Sequence, residues 1–316
     1  MADDRVNGLA EVSFSVIIPC FNCEDTIRAT INSILMQDYY RVEVICINDC
    51  STDCTLQILN EYREKIVLLN NLQNEGQFLA RNKGVYIAKN DFILFVDSDD
   101  LLVENTFSRL NEFINSLSDD FDFAVFGYKT HCSNQKFYPH KTDVLRAMLT
   151  KKNFPCVVWN KIYRLEFLKT VLQEIQNAYC IFAEDLFFNV FLCNRTDKIV
   201  YINECLYEYN DTKGISTSVY RRTFSELEKT YNSAVFAYNS IVHDVKNNNP
   251  KYKHFLPAFR IMFFKRIYNF IFSHTKYLDL KKMSNFTLPK KNLCLMLLHK
   301  EILLKQKIKH FLRGSV

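Results

Sequence analysis

The stretch NEGQFLARNKGVYIAKNDFILFVDSDD, residues 74–100, decides the fold class of this 316-residue chain. Within it, residues 78–89 are typical of a helix, and residues 92–96 (FILFV) are typical of a short buried strand. The strand runs directly into the acidic sequence Asp97, Ser98, Asp99, Asp100. A helix that precedes a buried strand with a polar end is one unit of an alternating α/β sheet.

The same alternation runs through the preceding residues. It comprises predicted strands at residues 13–18, 42–47 and 66–69 and predicted helices at residues 24–37 and 52–65. Such strands join through right-handed crossovers, so the pattern predicts an α/β fold with a mainly parallel sheet flanked by helices. Ligands of these sheets bind beyond the carboxyl ends of the strands, and the residues there are polar.

The C-terminal part of the chain has a different pattern. After a further predicted strand at residues 121–128 the alternation becomes irregular, and from Thr223 onward the sequence predicts helices. Three basic residues interrupt the aromatic-rich segment 254–274, so it is not predicted to span a membrane. We therefore expect a helical C-terminal extension.

Composition limits the cellular setting. The chain is 48% hydrophobic, and its acidic first residues lack the pattern of a secretory signal, so we expect a cytoplasmic protein with reduced cysteines and no disulfides. Residues 281–316 hold nine Lys and Arg against one acid, Glu301, interleaved with leucines. This pattern predicts an interfacial helix on the inner face of the cytoplasmic membrane. A helix packed on the domain is the alternative, and the absence of a base-reading module argues against nucleic acid.

The acidic run at residues 97–100 is the first candidate site. Carboxylates are preferred ligands of Mg²⁺ and Mn²⁺, which commonly bridge protein carboxylates to substrate phosphates. Two alternatives are a solvated turn that caps the next helix and the Asp-x-Asp of a haloacid-dehalogenase-like phosphatase. The position after the fourth of several strands with polar ends favours the metal-diphosphate site.

Five motifs together resemble glycosyltransferase family 2, whose fold is GT-A. They are SVIIPCFNCEDTI (15–27), VEVICINDCSTD (42–53), the stretch 74–100 quoted above, VWNKIYR (158–164) and AEDLFF (183–188). The resemblance covers roughly residues 13–220, and its later motifs are similar to bacterial lipooligosaccharide or capsule β-1,3-galactosyltransferases. It implies a transferase domain at residues 1–222, with a donor half at about 13–128 and an acceptor half at about 129–222, followed by a helical, basic region at 223–316.

The resemblance also implies roles for individual residues. Asp185 would be the general base, Asp99 and Asp97 the ligands of Mn²⁺ or Mg²⁺, and Asp49 the acceptor of a hydrogen bond from uracil. The residues implied to bind the nucleotide sugar are Pro19, Phe21, Asn22, Glu24, Asp49, Arg81, Asp97 and Ser98. The residues implied to lie on the acceptor side are Trp159, Lys161 and Glu184. Structural alternatives remain open: core packing for Phe21 and Trp159, a solvated position for Arg81, and helix or turn capping for Asp49 and Asp185.

The resulting hypothesis is an inverting, metal-dependent transfer of a hexose, with galactose as one candidate, from a UDP-sugar to a saccharide acceptor on a lipid. A nucleotidyltransferase is disfavoured, because its Gly-rich start and activating lysine are absent after the first strand. A silent binding module is expected to lack Asp99 or Asp185, and both are present. Zinc binding by Cys20, Cys23, Cys50 and Cys54 is disfavoured, because the paired spacing does not match known zinc motifs.

Overall fold

A computed structural model describes residues 5–6, 9–137, 144–150, 156–175, 180, 182–211 and 224–274. The strands are β1 (Arg5–Val6), β2 (Leu9–Ala10), β3 (Phe14–Cys20), β4 (Val42–Asn48), β5 (Val67–Asn70), β6 (Phe92–Phe95), β7 (Leu101–Leu102), β8 (Phe123–Thr130), β9 (Lys136–Phe137), β10 (Lys161–Arg164) and β11 (Ile199–Tyr209). The α-helices are α1 (Ile27–Leu35), α2 (Thr55–Glu61), α3 (Gln77–Ile87), α4 (Thr106–Ser116), α5 (Val144–Thr150), α6 (Leu165–Ile175), α7 (Glu184–Cys193), α8 (Phe224–Asn248) and α9 (Leu256–His274), with a 3₁₀ helix at Pro250–Phe255.

One large sheet organises the described residues, in the order β5-β4-β3-β6-β10-β8-β11-β7, with β9 beside β8. The predicted parallel arrangement is confirmed for β5, β4, β3 and β6. The sheet becomes mixed in its second half, because β10 enters antiparallel to both β6 and β8, whereas β11 runs parallel to β8. The two halves of the chain therefore share one sheet.

Strand β3 is longer than the sequence predicts. The prediction ended the strand before Pro19, but β3 continues through Pro19 to Cys20. Pro19 pairs in register with Ile47 of β4, whereas on the other side β6 is in register only as far as Ile17. Proline is tolerated where a strand has one neighbour, because its missing N–H is not needed on the open side.

Side chains of alternate strand residues enter two hydrophobic cores, one on each face of the sheet. Ile17 and Phe95 belong to the core covered by α3 and α5 to α9. Val16 and Leu94 belong to the opposite core, covered by α1, α2 and α4. Helices thus cover both faces, and the described part of the predicted helical extension, α8 and α9, packs onto the first core.

None of the helices in the described part of the chain is long and apolar enough to cross a bilayer. The predicted basic, membrane-binding segment at residues 281–316 lies outside the described residues.

Candidate active site

The acidic turn, residues 97–100, follows β6 and is fixed by strand β11. The backbone N–H of Asp97 donates to the hydroxyl of Tyr207 (3.1 Å), and that hydroxyl donates to Oδ2 of Asp100 (2.6 Å). The other oxygen of Asp100, Oδ1, accepts from the backbone N–H of Asn210 (2.7 Å). Burial and the charge of Asp97 raise the pKa of Asp100 to about 8. Asp100 is therefore a buried anchor of the turn.

Helix α1 holds the same turn from the other side. Thr26 directly precedes α1, and Thr30 lies in the first turn of that helix. The hydroxyls of Thr26 and Thr30 both donate to the carbonyl oxygen of Ser98, at 2.9 and 3.0 Å. Thr26 and Thr30 are four residues apart, so they lie on one face of the helix. The carbonyl of Ser98, predicted to contribute to donor binding, is thus engaged within the protein.

The side-chain carboxylates of Asp97 and Asp99 take no part in the hydrogen bonds described above for the acidic turn. Oδ1 of Asp97 accepts from Nη2 of Arg81 at 2.5 Å. The Asp99 side chain has no hydrogen bond or ion pair to another described side chain, and burial together with the charge of Asp97 raises its pKa to about 6. A partly buried carboxylate beside a like charge is stabilised by a cation.

Asp185 lies in the first turn of α7, where Arg81 connects it to the acidic turn. Nη1 of Arg81 is 3.5 Å from Oδ1 of Asp185, while Nη2 contacts Asp97. The Arg81 side chain is only 6% exposed, so the solvated alternative is excluded for it. Its guanidinium charge is stabilised by both carboxylates, which raise its pKa despite burial.

The environment of Asp185 suits a proton acceptor. Burial raises its pKa to about 7, against the opposing effect of Arg81, and the charges of Glu184 and Asp97 act in the same direction as burial. Burial also raises the pKa of Glu184. Both acids line a small cavity together with Arg81 and Phe78. A base whose pKa is near neutral is well matched to proton transfer at physiological pH.

The loops after β3 and β4 are tied together by side chains predicted to bind the nucleotide. Asn22, in a left-handed conformation with φ of 49°, accepts at Oδ1 from the backbone N–H of Thr52 (2.8 Å). Glu24 accepts from the N–H of Cys54 (2.7 Å). Phe21, in the loop after β3, is 40% exposed, which favours an open ring face over the alternative of core packing. Pro19 is buried in β3.

Asp49, predicted to contact uracil, is buried and orders the loop after β5. Its Oδ1 accepts from Asn71 Nδ2 (2.8 Å) and the N–H of Glu75 (2.9 Å), and its Oδ2 accepts from the N–H of Gly76 (2.8 Å). A carboxylate offers about four acceptor positions, so one remains for a ligand.

Trp159 and Lys161 lie inside the fold. Trp159 is 5% exposed and its ring stacks on Tyr207, with centroids 4.4 Å apart and an angle of 13° between the ring planes. Lys161 is 4% exposed and donates to the Val157 carbonyl (2.5 Å) and to Asn160 Oδ1 (2.9 Å). Burial lowers the pKa of Lys161 to about 8. These positions favour packing over the predicted contact with an acceptor sugar.

Asp97 and Asp99 are the residues able to hold a divalent cation. Within the described ranges, no group of three or more His, Cys, Asp or Glu side chains is arranged to bind a metal by itself. Mg²⁺ is commonly held by one or two carboxylates together with substrate phosphates and water. Two carboxylates, one of them without a partner among the described side chains, fit a cation shared with a diphosphate.

Sequence reasoning did not identify Tyr207, Asn210, Thr26 or Thr30 as parts of this site. Tyr207 and Asn210 reach the acidic turn across more than a hundred residues of chain. The four-residue spacing of Thr26 and Thr30 in the predicted amphipathic helix is a signal that their hydroxyls share one face and one partner.

Carboxylates beyond the carboxyl ends of parallel strands, here joined through Arg81 to a further carboxylate, are typical of the class of α/β proteins that bind a metal together with a phosphorylated ligand. Comparison with known proteins specifies the class. The sequence model of the family described as "Glycosyl transferase family 2" matches residues 15–183, more than half of the chain. The chain therefore belongs to glycosyltransferase family 2.

Individual relatives agree with this assignment. The chain is 26% identical over 232 residues to glycosyltransferase GlyA of Streptococcus pneumoniae, a match that covers 67% of this chain and 32% of GlyA. The chain thus spans about a third of the length of that relative. It is 27% identical over 241 residues to EpsJ of Bacillus subtilis, described as an uncharacterized glycosyltransferase, covering 71% of this chain and 69% of EpsJ.

Solved structures confirm the GT-A fold. The crystal structure of residues 1–349 of TarS from S. aureus, in complex with UDP-GlcNAc, superposes with a TM-score of 0.58 at 24% identity, covering 88% of this chain and 76% of that one. The mannosyltransferase PcManGT from Pyrobaculum calidifontis, in complex with GDP-Man and Mn²⁺, gives a TM-score of 0.53 at 15% identity, covering 93% and 80%.

Proposed function

We propose that the chain is an inverting, metal-dependent glycosyltransferase that moves a hexose from a UDP-sugar to a saccharide acceptor, with Asp185 as the general base. One observation carries the proposal. Arg81 contacts both Asp97 of the acidic turn and Asp185 of α7. The proposed site of the leaving diphosphate and the proposed base are therefore separated by a single side chain.

The proposed reaction is a direct displacement at the anomeric carbon. The acceptor oxygen attacks that carbon, the bond from the carbon to the diphosphate oxygen breaks, and Asp185 takes the proton of the attacking hydroxyl. A positioned base of this kind contributes about a hundred- to ten-thousand-fold to rate. UDP leaves with the bonding electrons, and one displacement inverts the anomeric configuration.

The chain's residues have distinct parts in this scheme. Asp97 and Asp99 would hold Mn²⁺ or Mg²⁺, which when bound offsets the negative charge on the departing diphosphate. Phe21 offers an exposed ring on which a base can stack, and Asp49 retains an acceptor position for an imide N–H. Arg81 keeps Asp97 and Asp185 in a fixed arrangement.

We further propose that the acceptor belongs to a surface glycan and is lipid-linked. Two relatives support this. TarS of Staphylococcus aureus, described as a poly(ribitol-phosphate) β-N-acetylglucosaminyltransferase, is 39% identical over 114 residues, 34% of this chain and 20% of TarS. WfaP of Escherichia coli, described as a UDP-Glc:α-D-GlcNAc-diphosphoundecaprenol β-1,3-glucosyltransferase, is 38% identical over 103 residues, 32% of this chain and 41% of WfaP. UDP-GlcNAc and UDP-glucose therefore join UDP-galactose as donors to test. A peripheral position on the inner membrane face, through residues 281–316, fits such an acceptor.

The test is a panel of these UDP-sugars with Mn²⁺, in which UDP release is measured with and without saccharide acceptors. Asp185→Asn should retain UDP binding and lose transfer by at least about a hundredfold, because the base is removed while the shape is kept. Asp119→Asn, at an exposed position, is the matched control. If Asp185→Asn transfers as fast as the control, Asp185 is not the base. If no UDP-sugar binds in millimolar Mn²⁺, the donor assignment fails.

A further inference from the structure

Tyr207 connects the two ends of the acidic turn through one oxygen atom. Its hydroxyl accepts from the N–H of Asp97 and donates to Asp100, as described above. Asp97 and Asp100 flank Asp99, so both ends of the segment that carries the proposed metal ligands depend on this hydroxyl. The side chain of Tyr207 is fully buried, so water cannot easily replace it.

The ring of Tyr207 is itself held in place. Trp159 stacks on it, and Trp159 also stacks on Tyr209, with centroids 5.4 Å apart and an angle of 11° between the ring planes. Stacked aromatic pairs contribute rigidity in addition to buried area. Backbone pairing of Tyr207 with Leu102 of β7 fixes the strand immediately after the turn.

We propose that Tyr207 is a positioning residue that sets the conformation of the acidic turn so that Asp97 and Asp99 bind a metal-diphosphate. Trp159 acts one step further away, by orienting the Tyr207 ring, and this assigns the buried tryptophan to the donor site. The inference rests on the proposed function, because it takes Asp97 and Asp99 as the metal ligands.

The physical reason is the cost of leaving buried hydrogen-bonding groups unpaired. Without the hydroxyl, Oδ2 of Asp100 loses its donor, and the N–H of Asp97 loses its acceptor. The turn would relax to restore these bonds by other means, and the relaxation would move the carboxylates of Asp97 and Asp99. A buried polar group left without its hydrogen bond costs the equivalent of about tenfold or more in an equilibrium constant.

The experiment measures binding of UDP with and without Mn²⁺ by calorimetry, and of Mn²⁺ alone by electron paramagnetic resonance. Tyr207→Phe keeps the ring and removes only the hydroxyl. We expect UDP affinity in Mn²⁺ to fall about tenfold, with a much smaller change in UDP affinity without metal. The matched control is Tyr39→Phe, because the Tyr39 hydroxyl also donates one hydrogen bond, to the Val12 carbonyl at 2.7 Å, but lies away from the site.

A second variant separates positioning from general loss of stability. Asp100→Ala removes the acceptor of the same hydrogen bond, and the double variant should be no weaker in Mn²⁺-dependent binding than the worse single variant. If Tyr207→Phe binds UDP with Mn²⁺ as tightly as Tyr39→Phe, or if the effects of Tyr207→Phe and Asp100→Ala add, the inference is wrong. If the unsubstituted protein fails to bind UDP with Mn²⁺, the proposed function fails instead.

Discussion

Replacement of Arg81 by glutamine should shift the pH dependence of transfer. Arg81 is the cation that faces Asp185 most closely, and removing it leaves Glu184 and Asp97 to oppose ionisation, with the charge of buried Lys161 the remaining favourable one. The pKa of Asp185, already raised to about 7, should therefore rise further.

The separation of the two charges sets the magnitude. Arg81 Nη1 lies 3.5 Å from Asp185 Oδ1. At an effective dielectric constant of about 20, unit charges at that distance attract by about 5 kcal/mol. The Asp185 side chain is 34% exposed, so solvent screens much of this attraction. We expect about 1.5–3 kcal/mol to remain, which corresponds to about one to two units of pKa.

The assay is kcat/KM for UDP release across pH 5–10. If Asp185 is the base, as proposed, its ionised form is the active one, so activity requires a pH above its pKa, and the acid limb of the Arg81→Gln profile should lie about one to two pH units higher. At pH 7 the variant should be about five- to fiftyfold slower, because about half of Asp185 is ionised there in the unsubstituted protein, with partial recovery at high pH.

The matched control is Arg195→Gln. Arg195 is another largely buried arginine, 13% exposed, that joins two acids, Glu174 at 2.5 Å and Asp244 at 2.8 Å, away from the acidic turn. The Arg195→Gln variant should be less stable, but its kcat/KM should depend on pH as in the unsubstituted protein. An acid limb that stays at the same pH in Arg81→Gln, with reduced activity at every pH, would refute the electrostatic reasoning and leave Arg81 a purely geometric role.

Two further predictions concern the metal ligand and the packing of α3. Asp99→Asn should weaken UDP binding in Mn²⁺ by at least about tenfold while raising the melting temperature in the absence of metal, because it removes a charge that burial and Asp97 disfavour; calorimetry and a melting curve check this, and equal affinity would remove Asp99 from the metal site. Gly84→Ala should destabilise the fold by about 1–3 kcal/mol, because the new Cβ would lie 2.5 Å from Cγ2 of Ile17; denaturant unfolding checks this, and a stabilised variant would mean that the helix-forming preference of alanine outweighs the clash.

The sequence predicts the donor half well because its signals are local. Buried parallel strands such as β3 and β4 are runs of apolar, β-branched residues, and the crossover helices between them carry an apolar stripe. Each signal is complete within about fifteen residues. The acidic turn could be predicted for the same reason, since it follows a strand that is recognisable by itself.

The helices and strands of the second half of the sheet could not be predicted from local patterns of this kind. Residues 186–193 of helix α7 are all buried, so this part of the helix has no exposed polar face and no amphipathic pattern from which it could be predicted. Strand β11 contains two register shifts between Ile202 and Tyr207, which disrupt the alternation of buried and exposed residues. These elements become visible only with the pairing of distant strands.

The residues of the candidate site likewise fall into two groups, those predicted from local motifs and those whose position depends on distant parts of the chain. Asp97, Asp99 and Asp185 were identified from local motifs and a family resemblance, and the structure places Asp97 and Asp185 on one arginine. Trp159 was predicted on the acceptor side because indole rings pack well on sugars, yet it is buried against Tyr207. A sequence gives the chemical type of a side chain, but the face on which it lies depends on strand order.

Two long-range connections assemble the site, and both cross from the donor half to the second half of the sheet. Arg81 reaches Asp185 across 104 residues, and Tyr207 reaches Asp100 across 107. Without the second half, Asp100 would lose its Tyr207 hydroxyl and Asn210 N–H, and Arg81 would lose one of its two carboxylates. Buried charges without partners are strongly unfavourable, so the acidic turn could not keep this conformation alone. The proposed donor site consequently depends on the whole sheet, and we expect substitutions in β11 or α7 to alter donor binding as well as the proposed acceptor side.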